Sequence, residues 1–189
     1  NTPFAFNNIS LREESGSLLN RITLDTVVPL TAFGTDVSAN RTNASRNWVV
    51  VNVSYTEINP LNITFRIYNT TGEWNSTLYL SGSNTTNTTI NFTNLADGVY
   101  DYNATIRDGA GNTNTTQLNR ITLDRTNPTS TATCSPTTVQ TGATFPCSCS
   151  GTDATAGVDT STGTSTSPDL IAIPSSTGVF TYTCSVTDL

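Results

Sequence analysis

The stretch "GVYDYNATIRD", Gly98–Asp108, sets Tyr100, Tyr102, Ala104 and Ile106 in alternation with Asp101, Asn103, Thr105 and Arg107. Successive side chains of a strand point to opposite faces, so one apolar row meets a core and one polar row turns away. The spelling returns 80 residues later as "GVFTYTCSVTD", Gly178–Asp188. Two copies of one strand imply two copies of the unit that buries it.

Working outward, "NWVVVNVSYTE" alternates Val49, Val51, Val53 and Tyr55 with Val50, Asn52 and Ser54. "LNITFRIY" does the same with Leu61, Ile63, Phe65 and Ile67, and "TINFTNL" offers Ile90 and Phe92. Period-two patterning in β-branched and aromatic residues predicts half-buried antiparallel strands, and no long capped helical period competes. Turn clusters such as "NTTGE", "SGSNTTN", "ADG" and "GAGN" recur at the short spacing of a β-sandwich.

A second repeat sets the boundaries. "LNRITLD" occurs at Leu19–Asp25 and at Leu118–Asp124, 99 residues apart, and each copy leads to a proline, Pro29 and Pro128. The expected organisation is an N-terminal extension at 1–25, a first sandwich at 26–125 and a second, shorter one at 126–189. The later heptad ends the stretch "TNTTQLNRITLD", Thr113–Asp124, which reads as the last strand of the first sandwich. The earlier heptad is a last strand with too few residues before it to build a domain. The second sandwich is expected to stop near its sixth strand and lack a last one. The two anomalies complement each other. Either the chain is a window from a longer array, or a donor strand carrying Leu18, Leu19, Ile22 and Leu24 completes the open sandwich of the next copy. Both arrangements make a head-to-tail thread.

Composition narrows the chemistry. The net charge is −6, all eight basic residues are arginines, and they do not cluster, so no patch exists to displace counterions from nucleic acid. Histidine is absent, which removes the commonest general base and metal ligand. Lysine is absent too, which removes Schiff-base chemistry. The acids lie mostly in loops, with no pair marked as catalytic, so the expectation is a non-enzyme. No apolar run approaches the ~20 residues that cross a bilayer. Without an initiator methionine or a signal-peptide pattern, the expectation is a processed form or an excerpt.

The junction "LADGVYDYNATIRDGAGNTNTTQLNRITLDRTNP" resembles the closing strands of the immunoglobulin-like repeats of large bacterial and archaeal surface proteins. The likeness lies in the Asp-Gly turn, Tyr-x-Tyr, the "RDGAGN" turn, a last strand and an "LD-x-T-x-P" linker, and it extends over most of residues 17–189. It implies tandem immunoglobulin-like β-sandwiches in an extracellular, structural or adhesive protein. It implies no single activity. The partners it suggests are other copies of the chain or flanking repeats. An adhesin would also recognise a cell-surface glycan or protein, and Trp48 and Trp74 are the aromatic candidates for that role.

Acceptor tripeptides for N-glycosylation begin at Asn8, Asn40, Asn43, Asn52, Asn62, Asn69, Asn75, Asn84, Asn87, Asn91, Asn103 and Asn114. Chance would give about five in this stretch, so the excess points to selection. Asn52, Asn62, Asn91 and Asn103 each stand between apolar strand positions, and all four are therefore expected to face solvent.

Cys134, Cys147, Cys149 and Cys184 all belong to the second domain. An even count, one short pair and no histidine favour disulfides over zinc. Aligned on the repeat, Phe145, Cys147 and Cys149 face the core from the second strand, and Phe180, Tyr182 and Cys184 from the sixth. A Cys149–Cys184 bridge then takes the place of the immunoglobulin inter-sheet pin, with Cys134–Cys147 beside it. The swapped pairing, Cys147–Cys184 with Cys134–Cys149, is the competitor.

The start of such a sandwich shares an end with the loops after its second and sixth strands. Asp25 is therefore expected near Glu57, Asp108 and Asn112, and Asp124 near Asp153 and Asp188. Calcium requires 6–8 oxygen ligands, and these groups are candidate Ca2+ sites at the joints. The competing role for such acids is turn formation.

Overall fold

A computed structural model describes residues 9–10, 21–22, 24–80, 87–158, 169–172 and 182–189. Among these there is no helix, and no segment is a helix long and apolar enough to cross a membrane. The strands are β1 (Ile9–Ser10), β2 (Arg21–Ile22), β3 (Leu30–Phe33), β4 (Thr42–Ala44), β5 (Val49–Thr56), β6 (Pro60–Asn69) and β7 (Gly72–Leu80). They continue with β8 (Asn87–Phe92), β9 (Gly98–Asp108), β10 (Thr113–Thr115), β11 (Asn119–Leu123), β12 (Thr129–Cys134), β13 (Thr144–Thr152) and β14 (Asp169–Ala172).

One sheet has the order β3-β5-β8, and a second the order β4-β11-β9-β6-β7 with β10 also on β9. All the pairs of β3, β5, β6, β7 and β8 are antiparallel, as short turns allow, whereas β4 and β11 run parallel, Ile121 opposite Thr42 and Leu123 opposite Ala44. A third sheet has the order β12-β13-β14, and β1 pairs with β2 apart from the rest.

The chain divides into two compact units. One comprises Asn1–Asn40, Val49–Thr93 and Tyr100–Arg120; the other comprises Arg41–Trp48, Asn94–Val99 and Ile121–Leu189. In the first, Val49, Val51, Val53 and Tyr55 of β5 are buried together with Ile63, Phe65 and Ile67 of β6. Tyr100, Tyr102, Ala104 and Ile106 of β9 join them, so the period-two rows are the rows that fill the core. The Phe33 and Tyr102 rings meet edge to face, 5.8 Å apart, one from each sheet, and the Tyr102 hydroxyl donates to the Ser38 carbonyl. This is an immunoglobulin-type β-sandwich.

Two local expectations change. The last strand is not continuous: it breaks into β10 and β11 around Thr116, whose N–H donates to the Ala104 carbonyl while its Oγ1 accepts from the Ala104 N–H. Asn52 does not face solvent. It is only 2% exposed, because Gly34 donates to its carbonyl on one side and its Nδ2 donates to Thr89 Oγ1 at 2.5 Å on the other. Asn91 is exposed as expected, while Asn62 and Asn103 are half-buried.

In the second unit, β12 and β13 place Cys134 opposite Cys147, and the two are bridged across a Cα separation of 4.1 Å. Cys149 is bridged to Cys184 at a Cα separation of 5.3 Å. The swapped pairing is therefore not the one adopted. Cys147 and Cys149 are buried, as their alternation on β13 requires. Gly151 allows the 182–189 segment to close on β13, since a Cβ there would stand 2.5 Å from Val186 Cγ1. That segment is not a ladder strand; Asp188 makes one isolated bridge to Val158. Leu18, Leu19, Asn8, Asn84 and Phe180 lie outside the described residues.

Candidate metal centres

The apolar row of β9 ends on a charge. Asp108 follows Ile106 by two residues, shares its face, and is fully buried. Its Oδ1 accepts from the N–H groups of Ala110 and Asn112 at 2.9 and 2.8 Å, and its Oδ2 from Asn112 Nδ2 at 2.8 Å. Burial pushes this carboxyl up, but the Asn112 side chain and the Asn112, Gly111 and Ala110 backbone bonds outweigh it and leave it below the ordinary value.

Two more carboxylates converge on it. Glu57, in the turn between β5 and β6, accepts on Oε1 from the N–H groups of Ile58 and Asn59 at 2.7 and 3.1 Å. Asp25, on the segment leading into β3, accepts on Oδ1 from the Val27 N–H at 2.9 Å. One oxygen of each of Asp25, Glu57 and Asp108 lies within 4.8 Å of the others. Asn112, expected as a ligand, instead turns its amide nitrogen toward Asp108 Oδ2 and the carbonyls of Asp25 and Val27, the latter two at 3.2 Å. It clamps the centre as a donor, because three acceptor oxygens surround that nitrogen.

The second unit repeats the construction. Asp124 follows β11 and is 2% exposed; its Oδ1 accepts from the Thr126 N–H at 2.9 Å and its Oδ2 from the Ala156 N–H at 2.7 Å. Asp153 accepts on Oδ1 from the Thr155 and Gly157 N–H groups at 2.8 and 3.4 Å. These backbone bonds, that of Thr155 foremost, hold its carboxyl below the ordinary value. Asp188 completes the triad, again with an oxygen of each acid within 4.8 Å.

Both centres fit a hard cation on the same detail. In each, the loop acid engages one oxygen with backbone N–H groups, while the other, Glu57 Oε2 or Asp153 Oδ2, is shut off from solvent without a hydrogen-bond partner. An orphaned buried carboxylate oxygen is costly unless a cation meets it. Among the described residues the ion pairs are Arg66–Glu73, Arg120–Asp101 and Arg125–Asp97, so no arginine pairs with any of these six acids. The donor set, all oxygen with no nitrogen or sulfur, suits Ca2+ rather than a transition metal.

The remaining predicted residues are dispersed. Trp48 is half-buried, with the Arg46 guanidinium 3.9 Å above its ring, and Trp74 stands 45% exposed on β7.

Among solved structures the chain is similar to the fibronectin(III)-like modules of Clostridium thermocellum CbhA, at 14% identity and a TM-score of 0.39, over 68% of this chain and 65% of that one. It is also similar to the CARDB domain of a Pyrococcus furiosus protein solved with di-metal ions, at 14% identity and a TM-score of 0.32, over 50% of this chain and 91% of that one. The third is dimeric latent PorU from Porphyromonas gingivalis, at 15% identity and a TM-score of 0.35, over 66% of this chain and 13% of that one. The chain thus spans under two thirds of the length of the CbhA and PorU chains. With every TM-score below 0.5, these likenesses carry no argument; the fold rests on strand order and register. No family profile matches the sequence, and no curated protein matches it.

Proposed function

We propose that this chain is a non-catalytic structural segment of an N-glycosylated extracellular thread, in which Leu18–Asp25 serves as the closing strand of another sandwich of the same type. One observation carries the reading. Leu123 of the later heptad is fully buried, while Leu24, its counterpart in the earlier heptad, is 49% exposed. The same residue in the same spelling is enclosed in one place and half in water in the other. A sandwich provided by another copy, or by a flanking repeat, gives Leu24 the environment that Leu123 has. Two disulfides fit an oxidising compartment outside the cell. The twin carboxylate centres act as Ca2+ sites that stiffen each unit at the point where the closing heptad enters it.

The test is to substitute Leu24→Asp and image the purified material. The expected result is loss of threads with both units still folded. Threads of unchanged length in Leu24→Asp overturn the reading.

A binding role is the second reading, and the specific observation that favours it is β7. Trp74, Leu78 and Tyr79 are 45%, 58% and 45% exposed on this one strand at the border of its sheet.

A further inference from the structure

The sequon asparagines separate by strand position. Asn52 lies on β5, which is paired on both sides, and is buried with its Nδ2 engaged by Thr89. Asn62 and Asn69 on β6 and Asn103 on β9 are half-buried, again on strands with a neighbour on each side. Asn114 on β10 is half-buried, and its Nδ2 donates to the Pro29 carbonyl at 2.8 Å. Among the described residues the exposed acceptors on strands all lie at sheet borders, Asn43 on β4, Asn75 on β7 and Asn91 on β8. Asn40, two residues before β4, is exposed too, and it is its Oδ1, not its Nδ2, that accepts from the Arg120 N–H.

We infer that, of the acceptors whose side chains are described, Asn40, Asn43, Asn75 and Asn91 are the ones that carry glycan, and that the sugars guard the sheet borders at β4, β7 and β8 against pairing with other chains. A border strand presents unpaired N–H and C=O groups that template association. The risk is greatest at β7, which is nine residues long and shows Trp74, Leu78 and Tyr79 to solvent. Asn75 lies on the same strand, between Trp74 and Leu78. A hydrated glycan there blocks lateral approach by bulk. Of the border strands of the first two sheets, β3, β4, β7, β8 and β10, β3 is the one without an acceptor on it, and it stays open for contact.

The transfer needs an accessible amide. Nδ2 attacks C1 of an oligosaccharide linked to a polyprenyl phosphate. The C1–O bond breaks, the lipid phosphate leaves with its electron pair, the C1–Nδ2 bond forms, and one amide proton passes to a base of the transferase. At Asn52 the product has no room beside Thr89, and a sugar attached before folding would keep β5 from its place. The inference rests on the extracellular reading above only for access to that lipid-linked donor.

The experiment is glycopeptide mass spectrometry of the native chain, followed by enzymatic removal of the sugars from the folded protein with light scattering as readout. The expected result is glycan on Asn40, Asn43, Asn75 and Asn91, none on Asn52 or Asn114, and a several-fold rise in scattering on deglycosylation. Glycan on Asn52 or Asn114, bare border asparagines, or unchanged scattering after complete removal each overturns the inference. Threads built from sugar-free chains sink this inference and leave the strand reading standing. Dispersed particles with sugars on these four asparagines do the reverse.

Discussion

In its later copy the heptad LNRITLD runs into β11, where Ile121 and Leu123 are both fully buried and paired in register with β4. In its earlier copy, among the described residues, Arg21 and Ile22 pair with Ser10 and Ile9, and Leu24 stands half in water. Local propensity is identical in the two, so it decides only that the segment is extended. Burial depends on what flanks it. A strand is a half-made object, and β11 is finished by β9 and β4. The carboxylates that end the heptads show the same dependence: Asp124 is 2% exposed, whereas Asp25 is half-buried.

The largest effect that probes this contrast is a truncation in each copy. Leu123→Ala opens a cavity in a filled core and is expected to cost about 2–5 kcal/mol in a denaturant titration. Leu24→Ala in the dispersed chain is expected to stay within about 0.5 kcal/mol. Equal losses for the two would erase the distinction between them.

Next comes the metal. At 100 times its dissociation constant, Ca2+ bound only by the folded chain adds about 2.7 kcal/mol. Calorimetry with and without chelator is expected to show a lower melting temperature on chelation. Asp124→Asn is expected to remove more of the Ca2+ response than Asp25→Asn, because the buried Asp124 anchors both Thr126 and Ala156. Identical melting with and without chelator would leave both triads as turn-forming acids.

The smallest effect is the response to acid. Asp108 and Asp153 are both held below the ordinary carboxylate value when folded. The stability they contribute is present above the unfolded value near 4 and is lost as pH falls through the folded values. Melting is expected to drop below about pH 4, and Asp108→Asn to flatten part of that drop. A profile in Asp108→Asn that matches the native one would remove this group from the account.

Much of this was legible in the residues. Alternation marked β5, β6 and β9 because a face packed on one core leaves a two-residue period, and Val49 to Val53, Ile63 to Ile67 and Tyr100 to Ile106 obey it. The two triads followed from the repeat, since loops at one end of a sandwich must meet the strand that enters there. The burial of Asn52 was not legible, because it depends on Gly34 and Thr89 arriving from elsewhere in the chain. Nor was the break at Thr116, where one hydroxyl and one N–H replace a ladder step beside Ala104. The amide orientation of Asn112 is likewise set by oxygens more than eighty residues away in sequence, those of Asp25 and Val27.

The two cystines have a mechanical corollary. They close loops whose ends are 13 and 35 positions apart. Under tension a cross-linked loop cannot unravel, so together they withhold roughly 160 Å of contour length from a fully stretched polypeptide. In the half of the chain where large apolar residues are scarce, extensibility is capped by covalent bonds; in the cysteine-free sandwich before it, all the slack is guarded by strand pairing alone.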